Sequence, residues 1–222
     1  INVPGSHGGF DSVVLKINNL GIIEWQKLLG GNLNEKVNYI SQTSDGGYIV
    51  ANETESNNGD VTGFHVNTYI NSDGWIVKLN SIGNIEWEKA IGGSLTDEIS
   101  CVKQCDDGGY LLVGSTSSLD GDVTNLQGCY DGWMIKLNSF GNIIWQKTFG
   151  GTSCDYFSSV EQTIDGGFIT TGLSASNDGD VSGNHLVGID VESIDCWIVK
   201  IDKNGILKWQ KSIGGSNWDY PR

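Results

Sequence analysis

The chain has 222 residues, 38% hydrophobic and 18% charged, a balance that supports a buried core and excludes a disordered chain. No run of about 18 apolar residues occurs, so no membrane-spanning helix is expected. A net charge of −14 and a pI near 4.4 disfavour nucleic acid and anionic lipid surfaces as partners.

The opening run Ile1-Asn2-Val3-Pro4 has no basic or apolar leader region. The expectation is that a signal was removed or that the chain is a piece of a longer protein. The first ordered pattern is Asp11-Ser-Val-Val-Leu-Lys-Ile-Asn18, followed by Gly21-Ile-Ile-Glu-Trp25-Gln-Lys27, by Gly30-Gly31, and by Asp45-Gly-Gly-Tyr48. A long connection over 53–73 carries Asn58-Gly-Asp60-Val61 and then His65. The series then starts again at Asp73-Gly-Trp75, with Trp87, Gly92-Gly93, Asp107-Gly-Gly-Tyr110 and, in a connection over 116–131, Asp120-Gly-Asp122-Val123. The third copy has Trp133, Trp145, Gly150-Gly151, Asp165-Gly-Gly-Phe168 and Asp178-Gly-Asp180-Val181, followed by His185 in a connection over 174–195. The fourth has Trp197, Trp209 and Gly214-Gly215. From Asp11 to Asp73, Asp131 and Asp195 the steps are 62, 58 and 64 residues.

Each copy holds four strand candidates; in the second they are 75–79, 85–91, 99–104 and 110–115, rich in β-branched and aromatic residues. Short glycine turns at 80–84 and 106–109 join them as hairpins. No segment keeps a 3.6-residue apolar period, so no helix is expected. Four short antiparallel strands recurring at this spacing predict an all-β, β-propeller-type array of blades. The repeats run over about 11–72, 73–130, 131–194 and a partial 195–222. That count gives three complete copies and the first two strands of a fourth, which fits a piece of a larger ring. The alternatives are an open arc capped by a partner, a four-bladed ring with one incomplete blade, or two chains sharing a ring. Free edge strands of an arc invite pairing with the remaining blades or another copy.

Trp25, Trp75, Trp87, Trp133, Trp145, Trp197 and Trp209 recur at fixed offsets and are expected to fill the wedge between blades. Alternation places Trp75, Val77 and Leu79 on one strand face, and puts Ile85, Trp87 and Ile91 together on a face of the next. Lys16, Lys78, Lys136 and Lys200 recur inside strands, where an ion pair or snorkelling is expected. Cys101, Cys105, Cys129, Cys154 and Cys196 are an odd set at unmatched positions, read as incidental, with a loop disulfide through Cys129 left open.

The long connections gather on one rim, the usual place for binding. Asp60, Asp120, Asp122, Asp178 and Asp180 offer oxygens to a hard cation such as calcium. The competing reading is a local turn in which Asp60, Asp122 and Asp180 bond their own backbone. With His65 and His185 these residues are the candidate rim contacts for a glycan or protein. His7 takes the histidine place before the first copy, and Gln127 stands near it in the second, so zinc is not expected. No nucleophile elbow, zinc helix, P-loop or dinucleotide fingerprint occurs, and no catalytic residue is assigned.

Taken together, these motifs resemble propeller repeats of large secreted proteins of Bacteroidetes-type bacteria, which often end in a type IX secretion sorting domain. The resemblance covers nearly the whole chain and implies export to the cell surface or medium. It implies little about activity. Departures are Val13 in place of tryptophan, the five cysteines, and the insertion over 186–194. A weaker likeness to quinoprotein-like propellers carries over no active residue; it would make 110–115 the innermost strand. The functional expectation is a non-catalytic surface module binding through its rim, with a structural spacer and, last, an enzyme as alternatives.

Overall fold

The structure, a computed structural model, describes residues 5–65, 71–185 and 193–220. It is all-β. The strands are β1 (Ser12–Ile17), β2 (Ile23–Leu29), β3 (Glu35–Gln42), β4 (Tyr48–Thr54), β5 (Asp73–Leu79), β6 (Ile85–Ile91), β7 (Asp97–Gln104), β8 (Tyr110–Thr116), β9 (Asp131–Leu137), β10 (Ile143–Phe149), β11 (Asp155–Gln162), β12 (Phe168–Ser174), β13 (Asp195–Ile201) and β14 (Leu207–Ile213). They form one two-stranded sheet, β1-β2, and three four-stranded antiparallel sheets, β3-β4-β5-β6, β7-β8-β9-β10 and β11-β12-β13-β14. This is a propeller-like array of blades.

The sheets are out of phase with the sequence repeat by half a unit. A repeat begun at Asp73 would group β5 to β8, but the hydrogen bonds group β3 to β6. The long connection therefore lies inside a sheet, between its second and third strands. The Gly-Gly link is what crosses from one sheet to the next. For the same reason the incomplete sheet is the first one, β1-β2, and not the last. The pair β13-β14 completes the sheet begun by β11 and β12.

The innermost strand is also corrected. β8 lies in the middle of its sheet, so an edge strand must line the axis. β3, β7 and β11 contact one another in succession. Asn38 Nδ2 donates to Ile99 O at 3.1 Å, Lys103 sits 5.7 Å from the Tyr39 ring centroid, and Lys103 pairs with Glu161 at 2.7 Å.

Two tryptophans clamp each junction from opposite sides. Trp75 points back and packs with Val14 and Leu29 of the preceding sheet; Trp133 meets Ile76, and Trp197 meets Met134. All three rings are fully buried. Trp25 points forward: its Nε1 donates to Ser81 O at 3.1 Å, and its ring crosses the β5–β6 turn. That turn needs Gly83, which has φ +81° and leaves room for only 2.8 Å between a Cβ and the Trp25 ring. Trp87 and Trp145 repeat the contact on Gly141 and Gly205, while Trp209, with no sheet beyond it among the described residues, is 47% exposed.

A bulge corrects the expected alternation in β6. Leu79 pairs with Ile85 and Lys78 with Trp87, so Glu86 is the extra residue. Ile85 consequently joins the core behind the sheet, and Trp87 and Ile91 the core in front.

Candidate functional site

The rim is built on the Gly-Gly links and the long connections they hold. Asp60 N donates to Gly30 O at 2.9 Å and Gly30 N to Asp60 Oδ2 at 3.3 Å. Asp122 and Gly92 exchange the same pair at 2.8 and 3.4 Å, as do Asp180 and Gly150. Asn58 Oδ1, Asp120 Oδ1 and Asp178 Oδ1 accept from Asn32 N, Ser94 N and Thr152 N at 2.7–2.8 Å. These residues were expected to hold a cation or cap their own turn. In the structure their oxygens bind backbone N–H groups some 26–30 residues away, and Val61, Val123 and Val181 anchor the loops as buried plugs. Asp60, Asp122 and Asp180 serve three different junctions. No group of three His, Cys, Asp or Glu among the described residues is placed to hold a metal ion.

Beneath the links lies a feature that motif reading left without a role. The acid heading each third strand and the acid opening the next sheet flank one glycine. A Cβ on Gly92 would lie 2.7 Å from both Asp73 Oδ1 and Asp97 Oδ2, so only glycine fits there. Asp131 and Asp155 flank Gly150, Asp195 and Asp219 flank Gly214, and Asp11 and Glu35 flank Gly30. Asp97 accepts from Gly93 N at 2.6 Å, from Ser118 Oγ at 2.7 Å, and from Thr116 Oγ1. Burial raises the carboxyls of Asp73 and Asp155, and pushes those of Asp97 and Asp131 up to about 6. The signal was available: these acids recur at the offset of the tryptophans.

His65 and His185 join this layer. His65 N donates to Asp73 Oδ2 at 2.9 Å, with Nδ1 at 2.8 Å from the same oxygen. Its Nε2 is 3.9 Å from Asp122 Oδ2, so one ring spans two sheets. Gln127 does this at the next junction, donating from N to Asp131 Oδ2 at 2.8 Å and from Nε2 to Asp180 Oδ2 at 3.3 Å. His185 N and Nδ1 lie 3.0 and 2.8 Å from Asp195 Oδ2, and His7 N donates to Asp11 Oδ2 at 2.9 Å. The histidine position is thus a clamp between strand and loop. The insertion over 186–194 falls mostly outside the described residues.

Cys129 and Cys154 form a disulfide, which staples the second connection to the Gly-Gly link of the third. Cys101 and Cys105 are buried thiols, and Cys196 is partly exposed.

One part of the rim does not repeat. Phe10, Asn34, Glu35, Lys36, Glu53, Glu55 and Ser72 line a cleft of about 490 Å³ over the β3–β4 hairpin. Asn34 Nδ2 donates to Glu55 Oε2 at 2.7 Å, and Glu53 Oε1 accepts from Lys36 Nζ at 3.0 Å and Asn38 Nδ2 at 2.8 Å. Phe10 is 78% exposed. By strand register Glu53 corresponds to Ser115 and Leu173, and Lys36 to Glu98 and Tyr156. Compared with known proteins, the chain matches no family model and no curated protein.

Proposed function

We propose that the chain is a non-catalytic binding module of a secreted or cell-surface protein, taking a polyhydroxylated ligand such as a glycan in the cleft over β3 and β4. The observation that carries this reading is the break in repetition. Elsewhere the rim polar groups recur from sheet to sheet, whereas here three carboxylates, an amide, an ammonium and an exposed ring line one opening, and Lys36 and Glu53 have no like residue at the same register in the other sheets. Carboxylates and amides accept and donate to sugar hydroxyls, and an aromatic face covers the apolar side of a sugar ring. The Cys129–Cys154 disulfide supports an oxidising compartment, and the charge of −14 keeps such a module soluble.

A glycan array tests this. Hits are expected for the unaltered chain, with Phe10→Ala and Glu55→Gln each weakening them about tenfold or more. A blank array overturns the reading and leaves a structural spacer.

A further inference from the structure

In each complete sheet the third strand is paired along both edges: β5 lies between β4 and β6, β9 between β8 and β10, and β13 between β12 and β14. Its counterpart β1 pairs only with β2 among the described residues. Among the described residues, Ser12–Ile17 therefore present an open row of backbone donors and acceptors. Little protects it: the strand reads SVVLKI, without proline, and Val13, Leu15 and Ile17 are 44%, 40% and 60% exposed.

The complete sheets define what fits. The neighbouring strand carries an aromatic opposite the end of the third strand (Tyr48↔Leu79, Tyr110↔Leu137, Phe168↔Ile201). It carries a hydroxyl opposite the leading aspartate (Thr54↔Asp73, Thr116↔Asp131, Ser174↔Asp195). The turn before that strand supplies a carboxylate to the strand lysine: Lys78 to Asp45 at 2.9 Å, Lys136 to Asp107 at 2.9 Å, Lys200 to Asp165 at 3.0 Å. Lys16 occupies the same register and has no turn aspartate. Its ion pair is with Glu24 at 3.1 Å, and its side chain is 35% exposed against 3% for Lys78.

We propose that the β1 edge is a docking site for a β-hairpin of the Asp-Gly-Gly-aromatic type, supplied by another polypeptide segment of this repeat. Main-chain pairing provides the adhesion, as in strand addition generally, and side-chain spacing provides the choice of partner. In the bound register Ile17 faces the aromatic, Asp11 faces the hydroxyl, and Lys16 receives the turn aspartate. A second copy of this chain is a poorer occupant, because each of its three described hairpins of that type is already paired within its own sheet. The edge is separate from the β3–β4 cleft, so this proposal and the glycan reading stand or fall independently.

The test uses the whole chain and a synthetic peptide spanning residues 35–54, with amide hydrogen exchange read at residues 12–17. Saturating peptide is expected to slow exchange there about tenfold or more, and a scrambled peptide to leave it unchanged. Lys16→Glu in the chain, or Asp45→Lys in the peptide, is expected to weaken binding about tenfold. The two reversals together restore it to within about threefold. Unaltered exchange in β5 and β9 shows that the Lys16→Glu chain is folded. Exchange at 12–17 that ignores the peptide overturns the proposal, as does protection indifferent to both charge reversals. Protection without peptide that grows with protein concentration assigns the edge to a second copy and overturns it too.

Discussion

β1 and β9 are the same strand in two settings. β9 is buried at all seven positions, with Trp133 at its centre and Lys136 held by Asp107. β1 alternates between buried and exposed, has Val13 at the tryptophan place, and leaves Lys16 to a half-exposed glutamate. Asp11 stands just before β1 and Asp131 opens β9, and both strands end with lysine followed by isoleucine or leucine, so local preference does not separate them. What differs is the number of neighbours. β9 has a strand on each side and a sheet on each face, whereas among the described residues β1 has β2 on one side and the β3–β6 sheet on one face. The tryptophan belongs to the face that looks back at a preceding sheet, and it is missing where the described residues supply none.

The largest effect that sharpens this contrast is Trp133→Ala. Removing a fully buried ring leaves a cavity and is expected to lower stability by about 4 kcal/mol in urea unfolding, while Val13→Ala costs about 0.5 kcal/mol or less. A Trp133→Ala loss below about 1 kcal/mol would break the comparison. Next, replacing Cys129 and Cys154 by serine frees the chain between them and is expected to cost about 3 kcal/mol in the same assay.

The lysines come third. Asp107→Ala strands the buried Lys136 ammonium and is expected to cost about 2 kcal/mol. Glu24→Ala beside the exposed Lys16 is expected to cost about 0.5 kcal/mol or less. Equal losses would show that the turn aspartates do nothing specific to complete sheets.

The buried acids set a pH dependence of about the same size. Asp97 and Asp131 have folded pKa values pushed by burial to about 6, above the ordinary value, so the folded chain holds protons that the unfolded chain releases. Their contribution is complete below about pH 4 and is lost as pH rises through about 6, of order 2 kcal/mol each. Asp45 and Asp165, held low by threonine hydroxyls and the strand lysines, act oppositely and lose their contribution on acidification. Thermal unfolding is therefore expected to peak on the acid side of neutrality, and Asp97→Asn to flatten the decline between pH 5 and 7. A decline unchanged in that variant would sink the assignment. The smallest expected effect is Val13→Trp in this chain, within about 0.5 kcal/mol, because among the described residues no preceding sheet receives a ring there.

Strands, turns and the all-β array were legible in the sequence because alternation, Asp-Gly-Gly and the tryptophan spacing are local signals. The pairing of those strands was not. A repeat can be cut at any point, and only the hydrogen bonds show that the Gly-Gly link crosses between sheets and that the long connection stays within one. That phase moved the incomplete sheet to the front of the chain and the axis-lining role from β8 to β7. The rim followed the same divide. The aspartates of the loop motif were visible, but their partners lie some 26–30 residues away, so a motif read alone suggested a cation or a local turn. The carboxylates on either side of Gly92 come from strands in different sheets, and the cleft at Phe10 gathers residues as far apart as Asn34 and Ser72. Sequence determined the units because each is stabilised by its own neighbours along the chain. Tertiary structure alone decided how they join, because burial and charge at the junctions depend on groups that meet only once the sheets have stacked.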